Sequence, residues 1–141
     1  MARIVVGVDR SEHAKRAVRR AVEEARLRGA SLQVAYVAPE RSMLADPVLM
    51  PSPPSAALEA AGHALIDELL DDVDIGDVEV ERVVRIGNAA RALCKVAEGA
   101  ELVVVGSRGM GGFRGLMVGS VTQQVVAHAP CPILVVVPED R

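Results

Sequence analysis
The sequence predicts an α/β protein in which a parallel sheet is covered by helices on both faces. Three observations predict it. Short apolar runs rich in Val and Ile alternate along the chain with segments whose apolar residues recur at helical spacing. Such alternation demands parallel strands, and a parallel sheet must be buried on both sides. The length, 141 residues, fits one domain spanning residues 1–141 and suffices to bury a core without disulfide or metal staples.

Each element has its own warrant. Arg3–Val8, RIVVGV, is apolar on both faces and reads as a central strand. Asp9 with Glu12 fits a capping box for the helix that follows, with Ser11 a competing N-cap. That helix runs to about Arg28, with Ala14, Ala17, Val18, Ala21, Val22 and Ala25 on one face, and Gly29 stops it. Ser31–Val37 is the second strand. Pro39, Pro47, Pro51, Pro53 and Pro54 then rule out regular structure across Ala38–Pro54, a connection long enough to be a lid or a poorly ordered loop. The helix from Ser55 carries the stripe Leu58, Ala61, Leu65, Leu69 and Val73, and Gly76 ends it. Val78–Ile86 begins with strict alternation, the mark of a wet face or a sheet edge. Asn88 caps a short helix with Ala89, Leu93 and Val96 inward. Leu102–Val105 is the fourth strand. Ser120 and Gln123 form a capping box for the last helix, which reaches about Ala129 and is stopped by Pro130 and Pro132. Ile133–Val137 is the fifth strand.

Five strands and four helices in this order make a Rossmann-like three-layer α/β/α sandwich, and the favoured strand order is 3-2-1-4-5. The order reverses between strands 1 and 4, so a crevice at their carboxyl ends brings Asp9 to Gly106. The fifth strand lies at an edge with no inserted charge. An apolar, unprotected edge invites pairing, which predicts a two-fold antiparallel homodimer through Ile133, Leu134, Val135, Val136 and Val137.

Composition narrows the function. The net charge is −3, which argues against a nucleic-acid or membrane-surface binder. Tyr36 and Phe113 are the only aromatic residues, so a stacking platform for single strands is missing. The basic residues Arg10, Lys15, Arg16, Arg19, Arg20, Arg26 and Arg28 crowd the first helix, while Asp71, Asp72, Asp74 and Asp77 crowd the end of the second; both read as solvated faces. Cys94 and Cys131 have neither CxxC nor zinc-ligand spacing and read as small buried hydrophobes. His13, His63 and His128 share no metal-ligand spacing. With no charged leader and no membrane-length apolar run, a reducing cytoplasm is the expected compartment.

The functional centre is Glu101–Val121, ELVVVGSRGMGGFRGLMVGSV: an apolar strand, a glycine-rich loop, then a helix start. Glycines let backbone approach a ligand closely, and the free N–H groups and dipole of a helix start favour phosphate. The loop is neither a Walker A loop nor a dinucleotide fingerprint, because no Gly-Lys-Ser/Thr follows and position 114 is Arg. The spacing Gly106-x2-Gly109-x9-Gly119-Ser120, with Val105 before and Val121 after, resembles the ATP-binding signature of the universal stress protein family. The opening IVVGVDRSEHAKRAV and the ending GSVTQQVVAHAPCPILVVV are similar to the same family, so the resemblance covers Arg3–Val137.

That resemblance implies a Rossmann-like dimer joined through its last strand and a bound ATP; whether Mg²⁺ accompanies the nucleotide is left open. It implies adenosine contacts from Gly7, Val8, Asp9, Val37, Val105 and Gly106, although Gly7 stands where a family member has Pro. It places Gly109, Gly119, Ser120, Val121 and Thr122 at the ribose and phosphates; Arg108 and Arg114 are not strict motif positions and read either as added charge against the phosphates or as solvent-exposed residues. Asp9 also reads as a plain helix cap, and Val37 and Val105 as core residues of any such fold. The expected function is a dimeric nucleotide-binding regulator of the stress response. A slow ATP hydrolase or nucleotidyl-transfer enzyme, a cyclic AMP or AMP binder, and a ligand-free interaction protein are the alternatives. Efficient chemistry is disfavoured by the missing Walker lysine and the lack of an acidic pair for Mg²⁺ near the loop.

Overall fold
A computed structural model describes residues 2–39, 54–107 and 119–138. The lid-or-loop reading of the proline-rich connection, and positions Arg108, Gly109 and Arg114, fall outside these residues. The described elements are β1 (Arg3–Val8), α1 (Ala14–Arg28), β2 (Ser31–Ala38), α2 (Ser55–Asp71), β3 (Val80–Ile86), α3 (Ala89–Val96), β4 (Leu102–Gly106), α4 (Ser120–His128) and β5 (Ile133–Val136). All pairings are parallel and the order is β3-β2-β1-β4-β5, as the sequence predicts.

Side-chain alternation along each strand sorts the core into two layers. Ile4, Val6, Leu32, Val34 and Val104 pack with the small-residue face of α1 and with Ile66 and Leu69 of α2. Val5, Ala35, Val103 and Val105 pack with Ala90 and Leu93 of α3 and Val125 of α4. Ile4, Val5, Val6, Val103 and Val104 are fully buried, so β1 and β4 form the dry centre of the sheet. β3 lies at an edge, and its Glu81, Arg82 and Arg85 are exposed.

Several local expectations change. The chain leaves β1 through a turn in which the Ser11 N–H donates to Asp9 Oδ1 at 2.8 Å, and α1 starts later, at Ala14, with His13 as N-cap and no side-chain cap. Asp9 therefore closes a turn and is not a helix cap; Asp side chains bond readily to an amide two residues on. Gly29, left-handed at φ 61°, ends α1 as expected. α2 stops at Asp71 rather than Gly76; Gly76 instead supplies a left-handed turn residue at φ 56° just before β3. The buried face of α2 holds Gly62, Ile66 and Leu69, while Ala61 is exposed. On α3 the buried residues are Ala90 and Leu93, with Ala89 and Val96 only partly covered, and Asn88 caps it by accepting from the Arg91 N–H at 2.9 Å.

The charge clusters of α1 and of the α2 end are not two separate solvated faces. Lys15 pairs with Asp72, Arg19 donates to the Asp72 carbonyl and Arg26 to the Asp74 carbonyl. The Lys15 ammonium, by hydrogen bond and charge, lowers the Asp72 pKa. These groups are exposed, so the contacts contribute little to stability. The β5 edge also differs from the unprotected one expected, because Arg16 Nε donates to the Val137 carbonyl at 2.8 Å.

Gly62 sets how closely α2 approaches the sheet. A Cβ there would lie 2.7 Å from Val84 Cγ1 and 3.1 Å from the Tyr36 ring. Gly62→Ala gains about 1 kcal/mol in helix propensity but must displace a β-branched side chain, and overpacking costs about 1–3 kcal/mol. The substitution is expected to lower the thermal midpoint in a circular dichroism melt; a raised midpoint would mean that α2 is free to shift outward.

Candidate functional site
The site is built where two strands part. β1 and β4 pair at Ile4–Leu102, Val5–Val103 and Val6–Val104, and the pairing ends there. β1 nevertheless continues beside β2 to Val8–Tyr36, and β4 continues beside β5 to Gly106–Val136. The chain then leaves β1 toward α1 on one face of the sheet, while beyond β4 it leads to α4 on the other. Two adjacent strands whose connections depart to opposite faces leave a crevice at their carboxyl ends.

Hydrogen bonds fix both rims. On the β1 side, Asp9 holds the Ser11 amide, and the Ser11 carbonyl accepts from Ala14 N–H at 3.3 Å. Ser11 Oγ is buried with no hydrogen-bond partner, a condition that costs about 1–3 kcal/mol when left unrelieved. On the β4 side, Ser107 is buried; its N–H donates to the Val136 carbonyl at 2.9 Å and its carbonyl accepts from Gly119 N–H at 2.8 Å. Thr122 Oγ1 donates to the Gly106 carbonyl at 2.6 Å.

These bonds place the start of α4 beside the end of β4. Gly119, with φ −62° and ψ 157°, is the N-cap of α4, and its carbonyl accepts from Gln123 N–H at 3.0 Å. The expected Ser120 cap is thus corrected: Ser120 is the first helical residue, exposed, and makes no cap hydrogen bond. The glycine cap brings no side chain of its own to the helix start, and the first-turn amides have no acceptor within the helix.

The predicted residues fall into three groups. Asp9, Gly106, Gly119, Ser120 and Val121 lie at the carboxyl ends of β1 and β4 or at the start of α4, and Val121 is 44% exposed. Val8, Val105 and Thr122 are buried, and Val37 is half-buried at the end of β2. Gly7 has a packing reason: a Cβ there would come within 2.6 Å of Leu93 Cδ2, so a side chain at position 7 would push the Leu93 side chain aside. Sequence reasoning missed Ser107, whose signal was a small polar residue directly after an apolar strand, and gave Ser11 only a capping role. Among the described residues no group of three or more His, Cys, Asp or Glu is placed to hold a metal ion, and no helix is long and apolar enough to cross a membrane.

A model of the universal stress protein family matches residues 1–137. A universal stress protein of Thermus aquaticus is 35% identical over 136 residues, covering 94% of this chain and 96% of its own length. One from Mycolicibacterium smegmatis is 35% identical over 137 residues, covering 96% of this chain but 45% of the relative, so the chain spans about half the length of that protein. Among solved structures, UspA of Lactobacillus plantarum superposes with a TM-score of 0.75 at 28% identity, covering 96% of this chain and 97% of its own. A universal stress protein in complex with cAMP does so with a TM-score of 0.65 at 27% identity (96% and 95% covered). One from Archaeoglobus fulgidus in complex with dAMP gives 0.60 at 25% (96% and 97%).

The cysteines stand apart from the crevice and are half-buried rather than buried. Burial pushes the Cys94 thiol up; burial also raises Cys131, against a partial opposing pull from Arg3. A raised pKa means less thiolate at neutral pH and hence a poor nucleophile. Iodoacetamide should label both thiols several-fold more slowly in the native protein than in urea, and the native rate should keep climbing through the alkaline range where an ordinary thiol has levelled off. Native labelling at the unfolded rate would contradict this.

Proposed function
The chain belongs to the universal stress protein family, and from that premise we propose that it binds an adenine nucleotide, ATP, in the crevice between β1 and β4 and works as a homodimer with little or no catalysis. The observation that carries the reading is the parting of β1 from β4 beside the glycine-capped start of α4. Amides there, with the positive end of the α4 dipole (equivalent to about half an elementary charge), suit the phosphates. Gly109, Gly119, Ser120 and Val121 would supply backbone and hydroxyl contacts, with Arg108 adding charge. Asp9, Gly7, Val8, Val37, Val105 and Gly106 would surround the nucleoside. The described residues offer no acidic cluster for Mg²⁺, so any such ion would be held chiefly by the phosphates themselves.

The neighbours that hold cAMP and dAMP favour a second reading, in which a nucleoside monophosphate is the ligand. The two separate in one experiment. The protein is purified without added nucleotide and denatured, any released adenine compound is identified, and ATP, AMP and cyclic AMP are titrated by calorimetry while ATP is followed with time. Bound, unhydrolysed ATP supports the first reading, preference for AMP or cyclic AMP the second, and rapid turnover an enzyme. Gly109→Val is expected to abolish binding without unfolding the protein; normal ATP binding by that variant would remove the glycine loop from the site.

The dimer reading rests on the free side of β5. Val103 N–H bonds to the Pro132 carbonyl and Ser107 N–H to the Val136 carbonyl, so the even-numbered residues of β5 face β4. Alternation then turns the backbone groups of Ile133 and Val135 outward. Beside them runs a groove of about 900 Å³ lined by Leu134–Pro138 and by Glu12, Arg16, Arg20 and Glu23 of the α1 region. Both signs of charge on one rim allow a second copy to pair with the first. Val135→Pro removes an outward N–H and leaves the β4 side intact. The wild type is expected to sediment as a dimer and Val135→Pro as a monomer; a monomeric wild type would end the proposal.

A further inference from the structure
We propose that Thr122 is a positioning residue for the nucleotide, acting through the Gly106 carbonyl and not by touching the ligand. The inference rests on the nucleotide reading and assigns this side chain a different part in it. The reasoning starts from the sheet. Val103 directs its backbone toward β5, so Val104 and Gly106 direct theirs toward β1. Pairing with β1 ends at Val6–Val104, which leaves the Gly106 carbonyl facing a strand that has moved away. A carbonyl at the edge of a dry core needs a donor. Thr122 Oγ1 supplies it at 2.6 Å.

The donor comes from the first turn of α4, and that is what makes the bond consequential. Thr122 is 5% exposed and its one hydroxyl proton is committed inward, so the side chain is not offered to the crevice. The bond fastens α4 to the end of β4. With the Gly119 N–H to Ser107 carbonyl bond at 2.8 Å, it brings both ends of the intervening segment, residues 108–118, to one place. The amides of Ser120 and Val121 are thereby held beside the gap that the parted strands leave. Preorganised donors bind without a further ordering cost. A threonine that satisfies the Gly106 carbonyl thus lets the crevice stay open and aims the helix start at it.

The test compares Thr122→Val, which keeps the shape and loses the hydroxyl, with Thr122→Ser, which keeps the hydroxyl. Two readouts are taken on protein shown to be folded by far-ultraviolet circular dichroism: amide hydrogen exchange over residues 119–123 without ligand, and ATP affinity by calorimetry. Thr122→Val is expected to speed exchange of those amides and weaken ATP binding about tenfold; Thr122→Ser is expected to restore both to within about twofold of wild type. If Thr122→Val does not fold, Thr122→Cys, of similar size and a weak donor, takes its place and should also bind weakly. Unchanged affinity in the folded Val or Cys variant overturns the proposal, as does a Thr122→Ser variant no better than Val. A wild type that binds neither ATP, AMP nor cyclic AMP ends the nucleotide reading and this inference with it, whereas normal wild-type binding left intact by Thr122→Val ends this inference alone.

Discussion
The parallel pairing of β1 with β4, confined to Ile4–Val6 and Leu102–Val104, is the constraint on which the rest depends. Both strands are dry on both faces there, so backbone hydrogen bonding has to be complete along the paired stretch. Where pairing stops, every polar group set free needs another partner. Asp9 takes the Ser11 amide, Thr122 takes the Gly106 carbonyl, and Ser107 links Gly119 to Val136. The rims of the crevice are the direct answer to an unfinished ladder. Because chain departs from the two strands to opposite faces, the helices cover both faces of the sheet.

Much of this was legible in the sequence, and the limits have physical causes. RIVVGV, SLQVAYVA, LVVVG and ILVV are apolar on both faces, a pattern that suits strands sandwiched between helices, so the parallel sheet followed from the alternation with helical segments, whereas its order was favoured among several that the alternation allows. Asn88 and Gly29 act locally, within their own helix ends, and were read correctly. Asp9, Ser120 and Gly76 were not, because several small polar residues and glycines competed for one helix end. At Asp9 the turn outcompeted the cap; at Ser120 the preceding glycine took the capping position. Thr122 and Ser107 show a second limit. Their partners, Gly106 and Val136, are far along the chain, and nothing in local spacing reveals that a strand pair ends between them.

Glycine at two positions outside the loop has a packing role in the core. Gly7 leaves room for Leu93, and Gly62 for Val84 and Tyr36. In a core almost without aromatics, volume is supplied by many small aliphatic side chains, and layers must approach closely to leave no voids. The face of α1, with Ala14, Ala17, Ala21 and Ala25 buried, serves the same need. Motif glycines and packing glycines look identical in the sequence; only the neighbour that a Cβ would strike tells them apart.

The Arg16 bond to the Val137 carbonyl has a consequence for how the molecule behaves in a crowded solution. Val137 shares the outward side with Ile133 and Val135, so a ladder growing there is stopped at one end by a guanidinium. An approaching strand finds a short foothold at Ile133 and Val135 and nothing to extend along. Open-ended stacking of chains, the hazard of any bare aliphatic border, is opposed at that end by one side chain while a brief contact stays accessible.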